Sequence, residues 1–169
     1  MSLADSLDHT PEHMTVVNLA SGDELEAQFN PTELEESIGA EYASLTIVGL
    51  SHKLLQFIAS NNDTFKFTMM FSSANGGPVG QRGIERARRF LRSLVKPRST
   101  AGTIKTAGAP RALFVWPNLL SVTCVLKTAT FKHSRFNFNG ASVFYSAECV
   151  LEEIRDTLIT SEDVFKGKG

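Results

Sequence analysis

Four carboxylates crowd one short stretch of the chain: Glu33, Glu35, Glu36 and Glu41. A pair of carboxyls can divide general-acid and general-base work between them. That division needs a recognisable catalytic constellation around the pair, and no motif surrounds this one, so the cluster reads as a solvated face. The four histidines, His9, His13, His52 and His133, lie far apart except for the first two. His9 and His13 are four apart but flank Pro11, which breaks any shared helix face and with it a metal-ligand pair. Cys124 and Cys149 belong to no CxxC or Cys/His cluster, so zinc is excluded and two reduced, buried thiols are expected. No GxSxG nucleophile elbow occurs. The glycine-rich "SSANGGPVGQRG" is not followed by GK[ST], which a phosphate loop requires. The expectation is a protein without catalytic residues, cofactor or metal.

The remaining chemistry is ionic. The net charge is −1, yet residues 1–41 carry ten acids and no Lys or Arg, while residues 82–111 carry nine bases and a single acid, Glu85. Over residues 82–96, at 100° per residue, Ile84, Ala87, Phe90, Leu91, Leu94 and Val95 share one arc of a helix. Arg82, Arg86, Arg89, Arg92 and Lys96 fill the opposite arc, with Arg88 at the boundary. Such a stripe suits phosphates. It lacks interleaved aromatics, and the protein as a whole is slightly acidic, so nucleic acid is not the expected partner. An acidic protein surface is. Segregated charge makes a field with two poles and favours head-to-tail contact between copies.

These groups need a scaffold. At 169 residues the chain fits one domain with tails and can bury roughly 70% of its unfolded surface without a disulfide. "MSLADSLDHTPEHM" lacks a charged-then-apolar leader, and no run reaches the ~20 apolar residues of a membrane span, which points to cytoplasmic synthesis and no membrane partner. Residues 1–12 are expected as a flexible acidic arm, 13–154 as the β domain, 97–111 as a flexible basic loop within it, and 155–169 as a short tail.

"HMTVVNLASGDELEAQF" predicts a hairpin turning at Ser21-Gly22-Asp23, its second strand lined by Leu25, Ala27 and Phe29 and stopped by Asn30-Pro31. "TFKFTMMF" alternates Phe65, Phe67, Met69 and Phe71 with Lys66, Thr68 and Met70, a central strand with one buried face. "RALFVW" stops at Pro117, and "LLSVTCVL" places Leu120, Val122, Cys124 and Leu126 together. Residues 32–62 carry the weakest signal, and the apolar runs of "LTIVGLSHKLLQFI" within them fit strand or short helix.

Asn139-Gly140 signals a two-residue type I′ hairpin. It would set Phe138 opposite Ala141, Phe136 opposite Val143 and Ser134 opposite Tyr145. Phe136, Phe138, Val143, Tyr145, Ala147, Cys149 and Leu151 then form a core face. Phe131, His133, Arg135 and Phe144 share the other face with Ser146 and Glu148. Its two phenylalanines are too apolar for plain solvent, and the expected account is a subunit contact. A bulge that carries Phe131 inward is the alternative. The fold class expected is mainly β: an antiparallel sandwich or barrel of about seven or eight strands with one inserted amphipathic helix.

The order of these landmarks resembles the contractile injection system tube-protein family. Phe29-Asn30-Pro31 matches its early Phe-Asn-Pro. Phe65, Phe67 and Phe71 match its Phe-rich strand. Pro110, Phe114 and Trp116 match its aromatic strand, and Phe136, Gly140, Ala147 and Glu153 its last hairpin. The likeness covers about residues 14–154. Pro117-Asn118 stands where Gly usually follows the Trp, Ala141-Ser142-Val143 replaces a common Pro-Val-Arg, and the peptidoglycan-binding module of many relatives is missing. The resemblance implies a tail-tube type fold and a homohexameric ring between an inner tube protein and a trimeric hub or spike, with baseplate wedge proteins nearby. A heterologous ring needs two unlike, complementary surfaces on each copy. The basic arc, the acids Glu33, Glu35 and Glu36, and the outer hairpin face are the candidates.

Overall fold

The computed structural model describes residues 12–73, 81–98 and 108–156. Nine strands and one helix are present among them: β1 (Thr15–Asn18), β2 (Glu24–Glu26), β3 (Leu34–Ser37), β4 (Ala40–Leu45), β5 (Leu54–Ser60), β6 (Thr64–Ser72), α1 (Gln81–Leu94), β7 (Ala112–Trp116), β8 (Leu120–Phe136) and β9 (Ser142–Glu153). Seven strands form one sheet in the order β2-β1-β7-β8-β9-β6-β3, and β4 with β5 forms a separate two-stranded ribbon. Every pairing is antiparallel.

The sheet curls on itself. Phe67 of β6 and Phe114 of β7 stack at 4.9 Å between ring centroids, although β9 and β8 separate their strands. On a flat sheet those strands would lie about 14 Å apart. The alternating apolar faces of β6 (Phe65, Phe67, Met69, Phe71) and β9 (Tyr145, Ala147, Cys149, Leu151) lie at the centre, paired residue for residue. Helix α1 fills the open side. Ile84, Ala87, Leu91 and Leu94 are buried, Phe90 and Val95 partly so, and the Tyr145 hydroxyl donates to the Ile84 carbonyl at 2.7 Å. The arc expected from the sequence is the arc that packs, and the helix starts one residue earlier and ends two residues earlier than the expected 82–96. The margins β2 and β3 do not pair with each other, so the sheet is open rather than a closed barrel.

Two expectations change. The second strand of the first hairpin ends at Glu26, three residues before Phe29, which is exposed. The β8–β9 turn is not a two-residue type I′ loop. The Asn137 amide donates to the Ala141 carbonyl at 2.9 Å, the Gly140 amide to the Asn137 carbonyl at 2.9 Å, and only Gly140 takes positive φ, +76°. This is a three-residue loop with Gly at its left-handed position. The Asn137 carboxamide oxygen accepts from the Asn139 and Ala141 amides and holds it. One residue more in the loop slips the register by one. His133 now faces Tyr145, and Phe131 faces Ala147.

That slip exposes Phe136 (61%) and Phe138 (98%), both expected in the core, and turns Phe131 and His133 to the inner face. Phe131 does turn inward, as the alternative account had it, but through the register set by the turn and not through a bulge: the irregularities on either side of Arg135 cancel, and Phe136–Ser142 and Phe131–Ala147 share one register. The expected arm 1–12 lies outside the described residues except for Glu12, as does 99–107 of the expected loop and 157–169 of the tail. Arg155 and Asp156, assigned to the tail, are tied to the body: Arg155 pairs with Asp63 at 2.6 Å and Glu153 at 2.8 Å, and Asp156 with Arg111 at 2.6 Å.

Candidate interaction surfaces

Among the described residues no group of three His, Cys, Asp or Glu side chains converges on a metal site. Cys124 and Cys149 are free and buried, and burial pushes both thiols up to about 12. Neither is a nucleophile at neutral pH. No described helix is long and apolar enough to cross a membrane.

Arg82, Arg86, Arg89 and Arg92 lie exposed along the outer side of α1, and Lys96 follows just past the helix end. The only ion pair they make among the described residues is Arg89 with Glu85, one helical turn away at 3.6 Å. Asp23, Arg82, Arg86, Arg89, Phe90 and Ser93 line a groove of about 480 Å³. Arg88 leaves the stripe and sits 6.0 Å over the Phe131 ring.

The acids occupy the far margin of the sheet. Glu33 precedes β3, and Glu35 and Glu36 lie on it, all three exposed. Leu34 faces Phe67 and packs on the core, whereas Glu35 faces Lys66 on the outer side. Lys66 bonds Glu148 at 3.0 Å, and this bond, with Glu35 adding a smaller share, raises the Lys66 pKa. The same bond holds the Glu148 carboxyl below its usual range. Glu36 faces Phe65 on the inner side, yet it lies at the rim and stays wet.

Of the four residues expected on an outer hairpin face, only Arg135 and Phe144 remain there, paired with each other. Phe131 meets the Tyr145 ring edge-on at 5.9 Å. His133 lies 5.3 Å from the same ring, and its Nδ1 bonds the Ser142 hydroxyl at 2.8 Å.

Two features escaped the sequence. The first is the role of the Gln28–Pro31 segment. Asn30 accepts from the Met14 amide at 2.8 Å and donates to the Glu12 carbonyl at 2.9 Å. Gln28 donates to the Ser72 carbonyl at 2.9 Å and accepts from the Ser72 amide at 2.8 Å. The strap thus ties the start of β1 to the end of β6 across the open seam, with Pro31 buried beneath it. Trp116 and Gly140, the other landmarks, end β7 and form the last turn.

The second is the β4–β5 ribbon. It extends β3 and β6 outward past Gly39 and Asn61, joined by the Asn61 amide on the Gly39 carbonyl at 2.9 Å. Every residue of both strands is exposed. Tyr42, Phe57 and Leu55 share one face, the two rings in edge contact at 5.7 Å, and Leu45 pairs with Leu54 on the other. Ile47, Val48 and Leu50 are exposed in the tip. "EYASL" and "LLQFI" around Gly49 were the available signal for a hairpin, but strands apolar on both faces carry no clean alternation.

A search of curated protein sequences finds no match. Among solved structures the chain is similar to the Dit protein of phage SPP1, described as a paradigm of the hub adsorption apparatus in phages infecting Gram-positive bacteria (12% identity, TM-score 0.48, 83% of this chain and 49% of that one). This chain therefore spans about half the length of that protein. It is similar also to a protein in the tail of an empty GTA particle refined with C6 symmetry (16%, 0.44, 88% and 96%). A third likeness is to a protein in the sixfold-symmetrised anti-feeding prophage baseplate (11%, 0.37, 86% and 91%). The family model of the contractile injection system tube protein matches residues 12–159, which take in the whole β domain with its strap, ribbon and helix, and the chain belongs to that family.

Proposed function

We propose that this structural component of contractile injection systems closes as a homohexameric ring and joins the inner tube protein to the trimeric hub or spike of the baseplate. It is made in the cytoplasm of the producing bacterium, then built into the particle beside the wedge proteins. It performs no catalysis. The observation that carries this reading is the β4–β5 ribbon. A six-residue strand reaches about 20 Å, and this one leaves the body with Tyr42, Leu55 and Phe57 on one side and Leu45 and Leu54 on the other. A lone two-stranded ribbon is marginal in water and gains stability when a neighbour covers it. Contiguous exposed apolar area of this kind marks a protein contact. A contact that joins one copy's arm to another part of the next copy is heterologous, and such contacts close into a ring where the rotation between copies divides a full turn.

Negative-stain microscopy and native mass spectrometry of the purified chain test this. Six-membered rings are expected, and Leu55→Ser with Phe57→Ser is expected to leave a folded monomer. A wild-type chain that stays monomeric at high concentration, and is missing from the particle, overturns the reading. Copy number in the particle separates an adaptor, present as one ring, from a bulk inner-tube subunit, present as many.

A further inference from the structure

The arginine stripe of α1 and the acids of β3 belong to one chain, yet they do not meet within it. Among the described residues no ion pair joins Arg82, Arg86, Arg89 or Arg92 to Glu33, Glu35 or Glu36. The two poles lie on different parts of the fold. The stripe covers the side of α1 turned from the core, in a groove that reaches Asp23 in the β1–β2 turn. The acids lie on the opposite sheet margin, next to Lys66, Thr68 and Met70.

Glu85 pairs with Arg89 from within the helix; the acids that flank the stripe from other elements are Asp23, which lines its groove, and Glu24 and Glu26, which line a second groove with Arg86. None of these three forms an ion pair with it among the described residues. On the other margin Lys66 is engaged by Glu148, and Lys132 approaches the same carboxylate at 3.9 Å. Glu33 and Glu36 therefore have no cation of their own among the described residues.

We propose that the stripe of one copy seats on the β3 margin of the next, so that this charge pairing sets the direction of the ring joint; the proposal rests on the ring reading above. Three arguments carry it. The signs are opposite, and at home the stripe is met only by Glu85 on Arg89, while Glu33 and Glu36 meet no cation among the described residues. The lengths overlap: Glu33 to Glu36 is three extended steps, about 10 Å, which the Arg82–Arg89 part of the stripe matches, the whole stripe to Arg92 running about 15 Å. Finally, β3 is a bare sheet margin whose hydrogen-bonding groups are guarded by acids, one of them, Glu36, on the inner side. Charges so placed repel strand-on-strand addition. They admit instead a partner that brings guanidinium groups, which fork onto carboxylates. The occupant that fits is a helix with an arginine face, and this chain supplies one.

Charge reversal tests the pairing. One variant carries Arg82→Glu, Arg86→Glu and Arg89→Glu. A second carries Glu33→Lys and Glu36→Lys and leaves the Glu35–Lys66 neighbourhood intact. A third carries all five changes. Circular dichroism checks the fold of each, and the ringed fraction is read by sedimentation and microscopy at low and high salt. Each single-pole variant should lose assembly about tenfold or more, because like charges then face each other. The five-fold variant should recover it. So should an equimolar mixture of the two single-pole variants, in rings that hold both chains in equal number. Recovery in neither the combined variant nor the mixture means the stripe meets another acidic partner, and the proposal falls. Undiminished rings in both single-pole variants also sink it. A wild type that forms no ring at any concentration refutes the ring reading itself, and the joint with it.

Discussion

The stacked pair Phe67–Phe114 measures how far the sheet is curled. Both side chains are buried, at 3% and 0% exposure, and their rings are nearly parallel, 4° apart, at 4.9 Å. Phe67→Ala or Phe114→Ala should each cost about 3–5 kcal/mol through lost transfer energy and the cavity left behind. Against a total stability of about 5–15 kcal/mol, both together would leave little folded protein. Phe67→Leu and Phe114→Leu keep most of the volume and remove the rings, so the cycle is better run with leucine. Urea unfolding of the wild type, both single variants and the double variant gives the coupling energy. An aromatic pair in contact should contribute about 0.5–1.5 kcal/mol beyond its buried area. Residues three strand positions apart on an open, flat sheet would not touch, and sites without contact add within about 0.3–0.5 kcal/mol. A coupling no larger than that limit refutes the curl, and with it the claim that α1 closes a cavity rather than lying on a plane.

Asn30→Ala removes the acceptor for the buried Met14 amide and the donor to the Glu12 carbonyl, and should cost about 1–3 kcal/mol in urea unfolding. Asn30→Asp keeps the acceptor, loses the donor and should cost less; equal effects would remove the Met14 amide from the account. Acid should also weaken the fold. Lys66 holds Glu148, and Lys127 with Asn62 holds Glu152, below the ordinary carboxylate value of 4.5. A lowered native pKa means the unfolded chain takes up the proton first as pH falls. The stabilisation is therefore present above the ordinary value and is lost as pH drops through the lowered native ones. Thermal melts of Lys66→Met with Lys127→Met should lose part of the wild type's acid dependence, and an unchanged slope would assign it to other groups.

What was legible in the chain was whatever one face of one element decides. The alternation of Phe65, Phe67, Met69 and Phe71 names a strand and its buried side, because period 2 leaves no other reading. The arc of Ile84, Ala87, Leu91 and Leu94 names the helix for the same reason. The faces of the last hairpin were misread because they depend on a turn. Asn139-Gly140 supports a two-residue loop, but the Asn137 side chain takes the Asn139 and Ala141 amides and a three-residue loop wins. Since the side-chain period is 2, one residue of slip moves a whole set of residues to the other face. Phe131 went inward with it, while Phe136 and Phe138 went out. The ribbon was illegible for a different reason: an element that is exposed and apolar on both faces has no internal pattern to read.

The strap gives Phe-Asn-Pro a physical meaning. A curled sheet whose two margins do not pair can open like a cuff, and the strands beside the seam, β1 and β6, carry the core on their inner faces. Backbone pairing across the seam would close a barrel. The chain instead crosses it once, using Gln28 on Ser72 and Asn30 on Met14 and Glu12, side chains that imitate the two ends of a peptide group. Four hydrogen bonds then fix the spacing of the seam at one level and leave the β3 margin free. Pro31 lies buried directly after them, so the chain enters β3 in a fixed direction. β3 runs on through Gly39 into β4, and the ribbon's aim is therefore set by the strap. At Gly39 a Cβ would lie 3.3 Å from the Asn61 side-chain Nδ2, so the two strands meet closely there. The segment that fastens the core also directs the arm that leaves it, and for that reason a polar pair beside a proline, rather than another apolar strand, stands at this point of the chain.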